Sequence, residues 1–140
     1  MPTNPSTYLA LDVGGVRIGL AIASAEARLA RPLQTLTVND AVYEQLRQII
    51  TDEQVGALIV GLPRNLSGED TPQTAAVRQF AAALGQYGLP IAFQDEALTS
   101  RKAEDELRAR GKGYTKGDID ALAATYILED WLALNPGAPA

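Results

Sequence analysis

The chain has 140 residues, 46% of them hydrophobic, and a net charge of −5, which suits one domain with a sizeable core and excludes a disordered tail. Cysteine and histidine are both absent. Disulfides, thiolate metal sites, cysteine nucleophiles and any triad needing an imidazole base are thereby excluded, and acid–base or metal chemistry falls to carboxylates, lysine or tyrosine.

No run of eighteen apolar residues is present, and the opening Met1-Pro-Thr-Asn-Pro-Ser-Thr7 lacks a basic segment followed by an apolar one. Neither a membrane span nor a secretory leader is expected, and the expected compartment is the cytoplasm, with no membrane partner. The whole of 1–140 reads as a single domain, with 1–7 and 135–140 as disordered tails.

Tyr8–Val13 is a short apolar run ending at Gly14-Gly15, and Arg17–Ser24 returns as a second strand, so the pair predicts a hairpin. Pro32–Val38 alternates as a third strand. Asn39 or Asp40 then caps a helix in which Val42, Leu46, Ile49 and Ile50 keep helical spacing. Gly56–Gly61 is a continuous apolar strand of the kind covered on both faces. A polar loop, Leu62–Asp70, leads to a helix with Thr71 as N-cap and Pro72 in the first position; Val77, Phe80, Ala81 and Leu84 form its stripe, and Gly88 stops it. Pro90–Gln94 is the next strand, running into Asp95-Glu96. A helix opens at Thr99 or Ser100 and reaches about Arg110. The loop Gly111–Gly117 is basic and glycine-rich. Asp118 starts a last helix whose Ile119, Leu122, Ala123, Tyr126, Ile127 and Leu128 suit a core, with Trp131 anchoring its end. The opening meander and later β–α alternation predict an α/β fold: a mixed five-stranded sheet with helices on both faces.

Three carboxylates fall where charge is expensive. Asp12 lies within an apolar strand, Glu96 directly follows another, and Asp120 lies in the first turn of an apolar helix. An unpaired buried carboxylate costs several kcal/mol, and divalent cations with oxygen ligands would offset it. Each also has a plain structural reading: Asp12 as a turn residue bonding the glycine backbone, Glu96 as a surface acid, Asp120 as a favourable charge near a helix N-terminus. Asp95 and Asp118 are rivals for the same roles. The segment Leu11-Asp-Val-Gly-Gly-Val-Arg-Ile-Gly19 allows close approach of a phosphate, with Arg17 able to face it. An aspartate followed by glycines and a hairpin also opens sugar-kinase and actin-like ATPases, but those close two domains around ATP, and this chain supplies one. The loop Gly61–Gly68 leaves the carboxyl end of a strand, where ligands of α/β sheets bind; a simple connector fits it equally. Six of the twelve cations, Arg101, Lys102, Arg108, Arg110, Lys112 and Lys116, fall within sixteen residues, diluted by Glu104, Asp105 and Glu106. A solvated helix face and a phosphate-facing patch both fit this cluster.

Four segments in order resemble the YqgF (RuvX) family of the RNase H-like superfamily, near the RuvC resolvases: Leu11–Gly19; Val60–Gly68, continuing through Thr74, Val77, Arg78 and Phe80; Asp95-Glu-Ala-Leu-Thr99, continuing through Ala103 and Glu104; and Lys116–Ala124. The resemblance spans roughly Tyr8 to Leu132. It implies an RNase H-like fold and an acidic site in which Asp12, Glu96 and Asp120 hold one or two Mg²⁺ or Mn²⁺ ions. It also implies a nuclease trimming the 5′ end of the small-subunit ribosomal RNA precursor, or a Holliday-junction resolvase-like activity, so the expected partner is structured RNA or branched DNA. Arg17, Arg64, Asn65, Arg101, Lys102, Lys112 and Lys116 are the expected nucleic-acid contacts. Two positions depart from the family pattern: Ala97 stands where an arginine is usual, and Gly15-Val16 where a threonine and often a lysine are. Together with the net acidity they motivate an alternative, a non-catalytic module that binds nucleic acid or a transcription or ribosome-assembly partner. An ATP-handling domain ranks behind both.

Overall fold

The central strand β1 (Thr7–Val13) shows how the sheet is built. Its residues point alternately to the two faces: Leu9, Leu11 and Val13 lie in one buried cluster, while Ala10 lies in another on the opposite face. The computed structural model describes residues 7–65, 67–96, 99–111 and 113–137, the side chains of 99–101 excepted. β2 (Arg17–Ser24) and β3 (Arg31–Thr37) add antiparallel to one side of β1, whereas β4 (Val55–Pro63) and β5 (Ile91–Glu96) add parallel to the other, giving the order β3-β2-β1-β4-β5. The mixed five-stranded sheet predicted from the element order is present.

Helices cover both faces. Val42 and Leu46 of α1 (Val42–Asp52) and Val77 and Ala81 of α2 (Pro72–Ala83) pack on the Leu9–Leu11 side. The other face carries α4 (Lys116–Leu134), which touches all five strands. Ala124, Ile127 and Leu128 meet the small side chains Ala10, Ala21 and Ala23 there. α3 (Thr99–Ala109) packs on α4 in turn, with Ala103 and Leu107 against Leu122 and Tyr126. A helix enclosed on two sides is apolar nearly all round, and α4 is buried continuously from Ala121 to Leu128. Trp131 anchors its end against Tyr8, with ring centroids 5.0 Å apart.

Several local expectations shift. β1 starts at Thr7, which the sequence placed in a tail; it pairs with Ser24. The remainder of the expected tails lies outside the described residues, apart from Asn135–Gly137. α1 takes no cap from Asp40: Asn39 instead accepts a hydrogen bond from the Ala41 amide at 2.9 Å, forming a turn before the helix. Thr71 caps α2 as expected, and Thr74 closes a reciprocal capping box that the sequence reading missed. The Thr74 hydroxyl also donates to the Pro63 carbonyl, which ties the start of α2 to the end of β4. α2 gives way to a 3₁₀ turn at Leu84–Tyr87, and Gly88 ends it with a left-handed φ of 70° that costs glycine little. α4 begins at Lys116 rather than Asp118, because Thr115 is its cap and Asp118 completes the capping box. No helix among the described residues is long and apolar enough to cross a membrane.

Candidate active site

Strand alternation selects the face on which two of the three acids stand. Asp12 follows Ala10 by two residues, and Glu96 follows Ala92 by four; both alanines belong to the cluster under α4. Both carboxylates therefore project toward α4 from the carboxyl ends of two parallel strands, β1 and β5, with β4 between them. Asp120 precedes Ala124 and Ile127 by four and seven residues, which puts it on the stripe of α4 that meets the sheet.

Two glycines bring the helix in. Gly19 pairs with Asp12 across the β1–β2 ladder, and a Cβ at Gly19 would collide with the backbone carbonyl of Asp120. The missing side chain is what lets the α4 backbone settle beside Asp12. Gly61 on β4 has the matching role: a Cβ there would collide with Ile127 and stand 3.2 Å from the Glu96 carboxyl. The sequence reading did not single out either glycine for the site. A glycine inside a strand is itself a sign of close backbone approach, and that signal was available. Thr35 adds a tether, its hydroxyl donating to the Gly117 carbonyl at 2.7 Å and fixing the start of α4 on β3.

The carboxyl of Asp12 is pushed up to about 8, chiefly by burial and then by the charges of Glu96 and Asp120. Three carboxyl groups thus lie close enough to feel one another's charge in one partly dry place. Arg17 is the counter-charge present: its Nε donates to Oδ2 of Asp120 at 2.6 Å. Among the described residues no three acidic side chains close into a ready cage for an ion; one oxygen of Asp120 is instead engaged by Arg17. The donor set still fits a hard divalent cation. It consists of carboxylate oxygens only, and their mutual repulsion is the electrostatic cost that such an ion removes. Asp12, Arg17, Lys116 and Asp120 line an open hollow of about 400 Å³, to which Gln73 of α2 adds an amide.

The rivals are otherwise employed. Asp118 accepts from the Thr115 amide at 2.9 Å as part of the α4 cap. Asp95 points away from α4 and pairs with Arg64 at 3.3 Å. Arg64, expected to contact nucleic acid, also reaches Asp70 at 3.2 Å and so laces the loop after β4 to β5. The Asn65 side chain accepts from the Ser67 and Glu69 amides and organises the same loop. Lys102 lies over the Tyr126 ring, 4.4 Å from its centroid. Lys116 lines the hollow. Lys112, Ala97 and the side chain of Arg101 lie outside the described residues.

Comparisons with known proteins point to one family. The model of the family RuvX, described as Holliday junction resolvase, matches residues 6–134. A protein of Maridesulfovibrio salexigens named "Putative pre-16S rRNA nuclease" is 44% identical over 130 residues, covering 89% of this chain and 96% of its own. One of the same name from Edwardsiella ictaluri is 41% identical, covering 91% and 95%. Among solved structures, T. thermophilus RuvC in complex with a Holliday junction substrate superposes with a TM-score of 0.59 at 15% identity, over 96% of this chain and 99% of that one. At that identity the likeness speaks for the fold, which is RNase H-like.

Proposed function

This chain belongs to the RuvX family, described as Holliday junction resolvase, and from that premise we propose that it is a metal-dependent nuclease hydrolysing phosphodiester bonds. Its proposed task is processing the 5′ end of pre-16S rRNA in the cytoplasm, in keeping with the names of its 41–44% identical relatives. The observation that carries the chemistry is that Asp12 is close enough to Glu96 and Asp120 to feel both charges, while Asp12 and Asp120 line a hollow together with Arg17 and Lys116.

Asp12, Glu96 and Asp120 would hold Mg²⁺ or Mn²⁺. Such an ion supplies Lewis acidity toward the phosphate and a water made acidic enough to attack near neutral pH. The chain's own residues do the rest. Gly19 and Gly61 keep the three carboxylates converging by letting α4 sit close to the sheet. Arg17 balances Asp120, and its guanidinium is close enough to the hollow to take a substrate phosphate oxygen as well. Lys116 stands at the rim as a second phosphate contact. Arg101, Lys102 and Lys112 would extend the track along α3 and the loop after it, and binding should then weaken steeply with salt. Arg64 and Asn65 act by shaping the loop beside the site.

The test is Asp12→Asn, assayed with Mg²⁺ on a precursor rRNA fragment and on a four-way DNA junction. Losing a carboxylate that positions the ion removes several kcal/mol of charge stabilisation, so cleavage should fall by about 10²–10³. Cleavage at the wild-type rate rejects the site. Cleavage of the junction but not of the RNA keeps the site and changes the substrate to branched DNA. A wild-type protein that binds both and cuts neither is the non-catalytic module.

A further inference from the structure

We infer that an apolar cleft behind the Gly14-Gly15 turn seats one unpaired nucleobase of the substrate, next to the phosphate held in the acidic hollow. The inference rests on the catalytic reading above, because that hollow is what places the phosphate. The cleft measures about 490 Å³, and Val38, Pro72, Ala76, Val77 and Phe80 form its wall. No charged side chain is among its described lining residues, so a second phosphate has no partner there.

The cleft and the hollow are continuous. Val13, Gly14, Gly15 and Gln73 line both. The ridge between them is a tight turn closed by the Gly14 amide donating to the Arg17 carbonyl at 2.9 Å. A Cβ added at Gly15 would meet nothing within 4 Å, so the ridge is bare peptide with open space above it. A nucleotide has the same division as the two spaces: an anionic phosphate at one end, and at the other a flat base with apolar faces and a polar edge. The Gln73 amide, with both donor and acceptor, stands where it can meet such an edge.

The wall is set in advance. Phe80 is stacked on Tyr43 with centroids 5.5 Å apart and planes inclined by 22°, and Val77 is buried in the core. A base held in a continuous duplex is paired and stacked, and cannot enter. The occupant therefore comes from a single strand, a bulge or a junction, where bases are available to be splayed out.

The experiment compares adenosine 5′-monophosphate with ribose 5-phosphate by amide chemical-shift titration, with Ca²⁺ in the buffer, on wild type and Ala76→Leu. Ala76 is exposed on α2, and leucine is a good helix former, so the variant keeps the fold and fills the cleft; its amide spectrum verifies that. The nucleotide should bind wild type about tenfold more tightly than ribose 5-phosphate, the effect of burying one base. Ala76→Leu should abolish that advantage while leaving ribose 5-phosphate unchanged. Equal binding of both ligands to wild type overturns the inference and leaves the catalytic reading standing. A nucleotide advantage that survives Ala76→Leu puts the base elsewhere and also overturns it, as when the cleft receives a protein side chain instead. If neither ligand binds, both readings fall.

Discussion

The two faces of the sheet solve different problems with the same strands. On the side of α1 and α2, β1 presents Leu9, Leu11 and Val13, and large side chains fill the space to the helices. On the side of α4, the same strand presents Ala10 and Asp12, with Ala21, Ala23, Gly19 and Gly61 beside them on neighbouring strands. Bulk on the first face stabilises the fold through apolar burial. Smallness on the second allows a helix backbone to come close enough for its Asp120 to join Asp12, at the cost of bringing like charges together. One face is a core and the other is a core with a site cut into its end.

The sharpest way to separate the faces is to damage each by one residue. Leu11→Ala leaves a cavity on the first face and should cost about 2–5 kcal/mol in urea unfolding. The folded fraction should nevertheless bind Mn²⁺ nearly as wild type does, because Leu11 is fully buried away from the acids. Gly19→Ala inserts a single methyl on the second face, where it meets the Asp120 backbone rather than a yielding side chain. It should cost about 3 kcal/mol, at the upper end of ordinary overpacking, and should also weaken Mn²⁺ binding by displacing α4. Calorimetric titration of both variants decides the comparison; equal loss of Mn²⁺ affinity in the two would erase the distinction between the faces.

A smaller effect sharpens it through pH. In the folded metal-free protein the Asp12 carboxyl titrates at about 8, against an ordinary 3.8. Below pH 4 both folded and unfolded chains hold the proton, and no penalty arises. As pH rises toward 8 the unfolded chain releases its proton while the folded one retains it, so stability falls through that window. Above it the carboxylate is ionised in both states and the penalty is complete. In EDTA, Asp12→Asn should therefore be more stable than wild type at pH 9, with the gain vanishing near pH 4. A variant no more stable than wild type at pH 9 would mean that Asp12 is not buried and crowded by the other acids as the structure arranges it. The same substitution that is expected to slow cleavage should thus strengthen the metal-free fold.

Legibility in the sequence tracked how local each signal was. The β1–β2 hairpin, the apolar run of β4 and the Thr71–Pro72 start of α2 all depend on neighbours within a few residues, and all were readable. The start of α4 was misplaced by two residues because Asp118 and Thr115 are both good capping groups, and the reciprocal box that uses both is visible only once the backbone is built. Arg17 was expected to face a phosphate, and its pairing with Asp120 spans 103 positions of chain. The ion pairs of Arg64 with Asp70 and Asp95 join two different segments, which no local pattern shows.

What the sequence determined by itself was the chemistry on offer and the succession of elements. Without histidine or cysteine only oxygen ligands remain, and periodicity with turn residues sets where strands and helices alternate, since both act over short range. What the tertiary structure alone decided was which acids meet. Asp95 and Glu96 are neighbours in sequence, but strand alternation sends them to opposite faces, and only Glu96 turns toward Asp12. Asp118 and Asp120 differ by two positions on one helix, but the contact of Gly19 with the α4 backbone seats the second at the site and leaves the first as a cap. The physical reason is the same in both cases: a carboxylate's role follows from the distance of closest approach between elements, and that distance is set by side-chain volume on strands far away in the chain.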